Sequence, residues 1–402
     1  MKKEIYLMHK DIEVAKCVYD DYNHTFSNCQ VLNQKHMPIG THKPRVDGIN
    51  GSLRRWQQNR CIPNERPNLE RLKQKLNITE AMDMLSTTYM CSLTDCYWFK
   101  PVGENICWDD VNFFKNGFES NIGYMLMVND FNIDVKGLHS PDITTNGALP
   151  KMWAQDQYEN KHLIKTGSKP FKNQPPISHE NVSEVFASNV MELYDIPAVK
   201  YYFTSIYGQD CCICPNFIEN DNMEFVSMYN IMQDFNGSKQ LAYKHLVDLG
   251  FEKELETIRG IDFLLGNGDR HESNIGYIRD SNTCEIIGLC PVFDTGACMP
   301  YDYINNKVIK DAGAKLYKQQ NAIDELSQLK NFDWFKNCQD EFSIDDLCEL
   351  YHITAKTHSI PEDIITQVCN ELKSRYHMLE KCIERTSIEQ NYQNINEQGE
   401  ER

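Results

Sequence analysis

The stretch GNGDRHESNIGYIRDSNTCEIIGLCPVFDTG, residues 266–296, constrains this chain more than any other part of its sequence. Asp269 and Asn274 follow the spacing Asp-x-x-x-x-Asn, and a second aspartate follows in Asp294-Thr295-Gly296. Between them, Asp280-Ser281-Asn282 is typical of a turn and predicts a hairpin that brings the two ends of the stretch together. We therefore expect two carboxylates and one amide to converge.

Phosphoryl transfer from ATP is a reaction that requires such a group of side chains. It needs an accurately placed hydroxyl, neutralised phosphate charge, and Mg²⁺ held by hard oxygen atoms. The spacing predicts that Asp269 accepts the proton of the substrate hydroxyl and that Asn274 and Asp294 bind Mg²⁺, and His271 is a further catalytic candidate. A zinc-protease motif is excluded, because Ile275 stands where H-E-x-x-H requires its second histidine.

A lysine and a glutamate upstream stand in the order that ATP binding requires. Lys165 ends the apolar strand HLIKTG, and Glu184 lies on the helix predicted next. In this order a strand lysine contacts the ATP phosphates and a helix glutamate orients that lysine. Glu180, one turn earlier, is the alternative partner.

The segment before the lysine strand is the candidate phosphate-covering loop. It contains one glycine and lacks the G-x-x-x-x-G-K of a Walker loop, so its position alone supports the assignment. Two more ATP-binding candidates lie in CCICPNFI, which we expect to pair as a strand with AVKYYFTSIYG across a turn at residues 207–210. Together the candidates are Thr144, Thr145, Asn146, Gly147, Pro215 and Phe217.

Hydrophobic periodicity predicts the remaining elements. We expect an opening hairpin over residues 3–35, an aromatic-rich accessory stretch over 95–130, and a polar tail over 387–402. The expected helices are 67–76, 78–86, 178–195 with Ser178 as its cap, 241–249 and 252–265.

Composition indicates a folded cytoplasmic protein of two or three domains. The chain has 402 residues and no apolar run long enough to cross a membrane. Its net charge of −17 disfavours direct binding to nucleic acid or to an anionic lipid surface. The 16 cysteines are scattered and are expected to be buried free thiols, although a zinc site at Cys211-Cys212-x-Cys214 is an alternative.

At these residues the sequence resembles the HipA-like serine/threonine kinases of the atypical protein-kinase superfamily. The match rests on NGALPKMW, HLIK, GNGDRHESN and PVFDTG, in that order, over residues 136–300. The resemblance implies an α+β, two-lobed protein-kinase-like fold with a β-rich N-lobe, a helical C-lobe and an N-terminal accessory region. The domains would be 1–135, 136–222 and 223–386, followed by the tail.

The resemblance also implies ATP and Mg²⁺ as cofactors and a protein substrate phosphorylated on serine or threonine. Members of the family act as toxins with an antitoxin partner, and aminoacyl-tRNA synthetases are among their substrates. Some phosphorylate a serine in their own phosphate-covering loop. This chain departs from that pattern, because Thr144 and Thr145 are the candidates there.

Two other functions remain as alternatives. The GDRHxxN and Asp-x-Gly pairing also resembles the phosphoinositide kinases, and lysines follow Gly296, although the overall charge disfavours a membrane surface. A catalytically inactive binding module with the same fold is the third interpretation. Competent residues at all the predicted catalytic positions favour an enzyme.

Overall fold

The computed structural model describes residues 2–43, 45–133, 139–167, 180–302, 307–308, 324, 326–339 and 341–400. For residues 302, 307 and 386–400 it describes the backbone alone. The strands are β1 Lys2–His9, β2 Ile12–Asp20, β3 Thr25–Val31, β4 Tyr97–Pro101, β5 Lys151–Gln155, β6 Lys161–Thr166, β7 Tyr202–Ile206, β8 Gln209–Pro215, β9 Met223–Ser227, β10 Gly276–Asp280, β11 Ile286–Leu289, β12 Tyr301–Asp302 and β13 Lys307–Val308.

The helices alternate with these strands along the chain. The α-helices are α1 Gly48–Arg60, α2 Leu69–Leu76, α3 Trp108–Val111, α4 Asn121–Val128, α5 Glu180–Leu193, α6 Met228–Asp234, α7 Lys239–Leu246, α8 Glu252–Leu264, α9 Asp333–Lys336, α10 Ile344–Lys356 and α11 Glu362–Glu400. Two 3₁₀ segments, Ala81–Thr88 and Pro141–Thr144, and one π segment, Val247–Phe251, complete the set for the described residues.

The chain forms two compact units. The first unit comprises Met1–Ser168, Tyr202–Lys244 and Ile275–Cys290, and the second comprises Lys169–Tyr201, His245–Asn274 and Pro291–Arg402. This partition differs from the division at residues 135, 222 and 386 that the sequence suggests, and those domain boundaries stay a prediction.

The first unit contains most of the strands. One antiparallel sheet has the order β3-β2-β1-β4, a second has the order β5-β6-β8-β7, and a third has the order β11-β10-β9. Apolar side chains of the first sheet pack with those of α1 and α2 in one buried cluster that includes Leu7, Tyr19, Leu53 and Leu72. The opening hairpin is therefore part of a larger sheet. The edge strand of that sheet, β4, comes from the stretch 95–130 that the sequence predicted to be accessory.

The second unit is mainly helical. Gly260 on α8 allows the close approach of the Trp334 indole, since a Cβ atom there would lie 2.8 Å from that ring. Phe186 of α5 packs edge-on against Tyr351 of α10, with ring centroids 5.0 Å apart. These contacts fix the positions of α5 and α8. Helix α5 carries Glu184, and α8 leads into the turn that contains Asp269.

Most predicted elements are observed close to their expected positions. The helix expected over 178–195 is α5, although Ser178 lies outside the described residues. The strand pair joined near Gly208 is β7–β8, and β10–β11 is the predicted hairpin, closed where Cys290 N–H donates to the Gly276 carbonyl. The helical backbone of α11 continues to Glu400, into the stretch for which a tail is expected.

The cysteines differ from expectation at one pair. Cys17 and Cys29 form a disulfide between β2 and β3, so the expectation of buried free thiols is wrong for these two. The other cysteines are thiols, and nine of them are buried, whereas Cys107 is exposed and Cys284, Cys348, Cys369 and Cys382 are half-buried. Cys211, Cys212 and Cys214 are buried on β8. Among the described residues, no metal-ligand group includes them. No helix in the described part of the chain has the length and apolarity to cross a bilayer.

Candidate active site

The turn after α8 carries Asp269. Its backbone N–H donates to Oδ1 of Asn267 over 3.2 Å, and the Asn267 amide in turn donates to Oδ1 of Asp262 over 2.7 Å. Asp262 and Asn267 are both fully buried. Because a buried amide and carboxylate with fixed partners have little freedom to move, they set the position of Asp269.

Arg270 connects this turn to the segment that contains Asp294. Its guanidinium forms a two-pronged ion pair with Asp262, at 2.9 and 3.1 Å. The same group donates to the carbonyls of Asn274, over 3.1 Å, and Phe293, over 2.7 Å. One buried guanidinium therefore holds the backbone at both candidate metal ligands. It bonds the carbonyl of Asn274 itself and the carbonyl of Phe293, the residue before Asp294.

Asn274 has an amide nitrogen that the described structure does not use. The Nδ2 atom is buried and has no hydrogen-bond partner. The backbone of this residue is held by the His271 carbonyl at 3.0 Å, and His271 Nδ1 accepts the N–H of Ser273 over 3.2 Å. A buried amide without a partner is costly, so it indicates that a ligand completes the arrangement.

Asp294 has a backbone conformation that is unusual for an aspartate. Its φ is 58°, in the left-handed region that costs a non-glycine residue free energy. Its N–H donates to the Tyr201 hydroxyl over 3.3 Å, and Val292 is paired with the chain before Tyr201 through a bridge to Ala198. This conformation aims the carboxylate in a direction that an extended strand would not give.

Glu184 anchors the residue after Asp294. Its Oε2 accepts both the backbone N–H and the hydroxyl of Thr295, each over 2.8 Å. Ser183, beside it on α5, donates to the Cys298 carbonyl over 2.8 Å. That Glu184 orients Lys165 stays a prediction. The contact between Glu184 and Thr295 was not predicted from the sequence.

The electrostatic environment of Asp269 suits a proton acceptor. Burial raises the pKa of this carboxyl, and the negative charge of Asp294 raises it further, while His271 and Arg270 lower it. A base is most effective when its pKa approaches the working pH. Within the second unit, the sequence candidates Asp269, His271, Asn274, Asp294 and Glu184 thus form one connected group.

In the first unit, Arg66 holds the candidate phosphate-covering loop. Its guanidinium donates to three backbone carbonyls, those of Thr145 (2.9 Å), Asn146 (3.1 Å) and Gly147 (2.8 Å). Gly147 has a φ of 94°, which favours glycine. The loop is therefore an ordered structure with a buried cation behind it.

Both threonine hydroxyls of this loop are engaged. Thr144 donates to the Cys91 carbonyl over 2.8 Å and is 7% exposed. Thr145 donates to the Pro141 carbonyl and accepts from the indole N–H of Trp153, each over 2.7 Å. Phosphorylation at either position requires the loop to leave this conformation, and it stays a prediction.

Lys165 lies on β6 directly opposite Lys151 on β5. Residues that face each other across antiparallel strands project from the same side of the sheet. Both lysines are buried, with 4% and 6% exposure. Lys151 is the last residue of the predicted phosphate-covering loop, residues 144–151, although only Lys165 was predicted to contact the ATP phosphates. The Nζ atom of Lys151 lies close to Gly147.

Pro215 and Phe217 lie at the far end of the same sheet. Pro215 pairs with His162, three positions before Lys165 on β6, and Phe217 packs edge-on against Phe225 with ring centroids 5.5 Å apart. Their assignment to ATP binding stays a prediction. The lysines after Gly296 that support a lipid kinase lie outside the described side chains.

Comparisons with known proteins agree with this fold. No family model matches the chain. The serine/threonine-protein kinase CtkA of Helicobacter pylori is 31% identical over 99 residues, which are 22% of this chain and 30% of that protein. The aligned stretch thus spans about a third of the curated relative.

Two solved structures are similar. HipA of Shewanella oneidensis, solved as a toxin–antitoxin complex with HipB and operator DNA, is 11% identical, with a TM-score of 0.52 over 94% of this chain and 96% of that one. The H. pylori proinflammatory kinase CtkA is 18% identical, with a TM-score of 0.46 over 60% of this chain and 93% of that one. The expected resemblance to the HipA-like kinases and the expected fold class are confirmed.

Proposed function

We propose that this chain, which has the fold of the HipA-like kinases, is a protein serine/threonine kinase that uses ATP and Mg²⁺. One observation carries the proposal. Arg270 joins Asp262, the Asn274 carbonyl and the Phe293 carbonyl in one buried network, which holds the turn of Asp269 beside the segment of Asp294. A base and two oxygen ligands held in this way match the needs of phosphoryl transfer.

The residues present fit a magnesium ion. Asn274 offers its side-chain amide oxygen, and the nitrogen of the same amide has no hydrogen-bond partner among the described residues. Asp294 offers a carboxylate, and both groups are hard oxygen donors of the kind that Mg²⁺ prefers. When bound with ATP, Mg²⁺ neutralises charge on the phosphates.

Asp269 is the residue that we assign to the substrate hydroxyl. Its carboxylate accepts the hydroxyl proton as the oxygen attacks the terminal phosphate of ATP, and ADP leaves. The raised pKa of Asp269, caused first by burial, strengthens it as a base relative to an exposed aspartate. The interaction with His271 lowers the pKa of Asp269 and so opposes part of this effect.

Lys165 and Lys151 are the residues that we assign to the ATP phosphates. The two side chains project from the same side of one sheet, so one anionic group such as a phosphate could contact both. The backbone of residues 144–147 borders Lys151 through Gly147, which supports its role as a phosphate-covering loop. Glu184 is proposed to orient Lys165, as the sequence order suggests.

The substrate and partner follow from the family resemblance. We propose a toxin-type kinase of the cytoplasm that acts on a translation protein such as an aminoacyl-tRNA synthetase, with an antitoxin partner. The Shewanella HipA complex with HipB supports the partner. A net charge of −17 favours contact with DNA through such a partner over direct binding.

Transfer of labelled phosphate tests the activity. The full chain is incubated with radiolabelled ATP, Mg²⁺ and a bacterial lysate, and Asp269→Asn is compared with the wild type. We expect Asp269→Asn to bind ATP and to lower protein labelling by roughly a hundredfold, as loss of a general base does. Asp345→Asn, at an exposed carboxylate on α10, is the matched control and should label as the wild type does.

Three results would contradict the proposal. Asp269→Asn could retain wild-type labelling, which would remove the assigned base. Label could go to added phosphoinositide vesicles and to no protein, which would make the chain a lipid kinase. Wild-type protein could bind ATP and label nothing, which would indicate an inactive binding module.

A further inference from the structure

A cluster of two histidines and a cysteine in the first unit includes none of the residues assigned to catalysis. His9 ends β1, His36 lies in the chain after β3, and Cys284 lies in the turn between β10 and β11. His9 Nδ1 is 2.8 Å from His36 Nδ1, and Cys284 Sγ is 3.5 Å from the same His36 atom. All three atoms lie within 4.8 Å of one another.

The 3.5 Å between Cys284 Sγ and His36 Nδ1 matches the separation of two ligands on one metal ion, and the two Nδ1 atoms, now 2.8 Å apart, would have to separate by about 0.5 Å. Zinc bonds of about 2.0–2.1 Å to nitrogen and about 2.3 Å to sulfur place tetrahedral ligand atoms about 3.3–3.7 Å apart. Imidazole and thiolate are the ligand types that zinc prefers among protein side chains. In the described part of the chain, no other group of three histidine, cysteine or acidic side chains converges in this way.

A buried carboxylate lies behind one of the histidines. Glu224 Oε2 accepts from His9 Nε2 over 3.1 Å, and its other oxygen pairs with Arg279 over 2.5 Å. A carboxylate on the outer nitrogen keeps the proton there and turns the inner nitrogen's lone pair toward a metal. Glu224 and His9 are fully buried, so this orientation is fixed.

The second histidine is held by its backbone. Tyr97 donates its hydroxyl to the His36 carbonyl over 2.9 Å, and its ring stacks on His9 with centroids 4.4 Å apart. One aromatic side chain thus supports both imidazoles. Outer contacts of this kind are what keeps metal ligands in place before the metal arrives.

The cysteine has a strained backbone. Cys284 has a φ of 60°, a conformation that glycine or asparagine adopts at lower cost, and its N–H donates to the Asp280 carbonyl over 2.8 Å. The side chain is half-buried, which leaves a route for an ion. A costly conformation that directs a thiol at two imidazoles indicates a function for that thiol.

We propose that His9 Nδ1, His36 Nδ1 and Cys284 Sγ bind one zinc ion, with water as the fourth ligand. The cysteine binds as thiolate and both Nδ1 atoms bind through lone pairs, so the thiol proton and the proton that the two Nδ1 atoms share are released to solvent when the ion enters. The site joins β1, the chain after β3 and the β10–β11 turn. His9 and His36 are 27 positions apart in the sequence, and His36 and Cys284 are 248 positions apart. Zinc at this place stabilises the fold of the first unit, and the proposal is independent of the kinase activity.

Metal content of the full chain tests the site. Protein expressed with added zinc is dialysed without chelator, and its zinc is measured by mass spectrometry. We expect about one ion per chain in the wild type and less than a tenth of that in Cys284→Ser and in His36→Asn. Cys107→Ser, at an exposed free cysteine outside the cluster, is the matched control and should keep the wild-type content.

A second measurement covers variants that do not fold. The wild type is stripped with a chelator and loaded with Co²⁺, which should give the near-ultraviolet absorption of a cobalt thiolate and recover the melting temperature lost on stripping. A wild type that takes up neither metal overturns the proposal and leaves a pair of histidines that share a proton. Equal zinc in folded Cys284→Ser, or zinc lost in Cys107→Ser, overturns it as well.

Discussion

Asp262 and Arg270 form a two-pronged ion pair in which neither charged group reaches solvent. Removing one partner of such a pair leaves a buried charge, which costs about 3–5 kcal/mol. Arg270→Met should therefore lower the free energy of unfolding by about that amount. Arg270→Lys keeps the charge and loses the planar donor geometry that reaches the carbonyls of Asn274 and Phe293.

The lysine variant separates charge from positioning. We expect Arg270→Lys to lose less stability than Arg270→Met and to lower phosphate transfer about tenfold or more, because the two ligand segments lose their common donor. Denaturant unfolding and steady-state turnover measure the two effects. Wild-type turnover in the lysine variant would show that Arg270 has no positioning role.

Asp294→Ala tests the metal assignment without an activity assay. The variant removes one of two proposed oxygen ligands, so ATP should no longer raise the melting temperature in a magnesium-dependent way. Differential scanning fluorimetry with ATP, with and without Mg²⁺, makes the comparison. An undiminished magnesium-dependent shift contradicts the assignment, and Asp345→Asn should behave as the wild type.

Lys151→Met tests the lysine that faces Lys165. Loss of one phosphate-neutralising cation should raise the Kd for ATP about tenfold, which corresponds to about 1.4 kcal/mol. Calorimetric titration of ATP measures the change, and Lys100→Met on β4 is a control at a partly exposed lysine. If Lys165→Met weakens ATP binding and Lys151→Met does not, only the lysine predicted from sequence contacts the nucleotide.

Arg66→Lys tests the ordering of the loop over residues 144–147. A lysine cannot donate to three carbonyls in the same plane, so the loop should open more often. Amide hydrogen exchange in this loop should become about tenfold faster or more. Arg71→Lys, at a side chain that bonds Asn129 near the surface, should leave the exchange rates unchanged. Equal rates in Arg66→Lys and the wild type would contradict the tether.

Asp142 predicts a pH dependence of stability. Burial raises the pKa of this carboxyl to about 6, above its value of about 3.9 in an unfolded chain. The folded state therefore binds more protons between these values, and the associated stability is present below about pH 4 and is lost as the pH rises through 6. Relative to Asp142→Asn, whose amide does not titrate, the wild type should lose about 2 kcal/mol between pH 4 and pH 7. Parallel stability curves would contradict this.

The sequence predicts the parts of the molecule that depend on local spacing. The positions of Asp269, Asn274 and Asp294 follow from one motif, and the strand of Lys165 follows from an apolar run with a turn signal beside it. Helix α5 follows from its 3.6-residue periodicity. These features involve residues close together in the chain.

The parts that were missed depend on long-range contacts between polar residues. Asp262 lies in a predicted helix, where a polar residue is normally expected to face solvent. Arg66 bonds a loop about 80 positions away in the sequence. The ligand cluster of His9 and Cys284 joins opposite ends of the first unit's sequence. No periodicity reveals such pairs, because burial of a charged side chain depends on partners that one sequence does not identify.

The contact between Glu184 and Thr295 has a consequence for how related sequences are compared. The glutamate accepts one hydrogen from the backbone N–H of Thr295 and one from its hydroxyl, so the side chain of the middle residue of the Asp-Thr-Gly stretch supplies one of the two bonds. A homologue with valine or phenylalanine there would keep the backbone donor and lose the hydroxyl donor. Covariation between these two alignment columns would therefore distinguish subgroups of this fold that couple the helix to the aspartate segment differently.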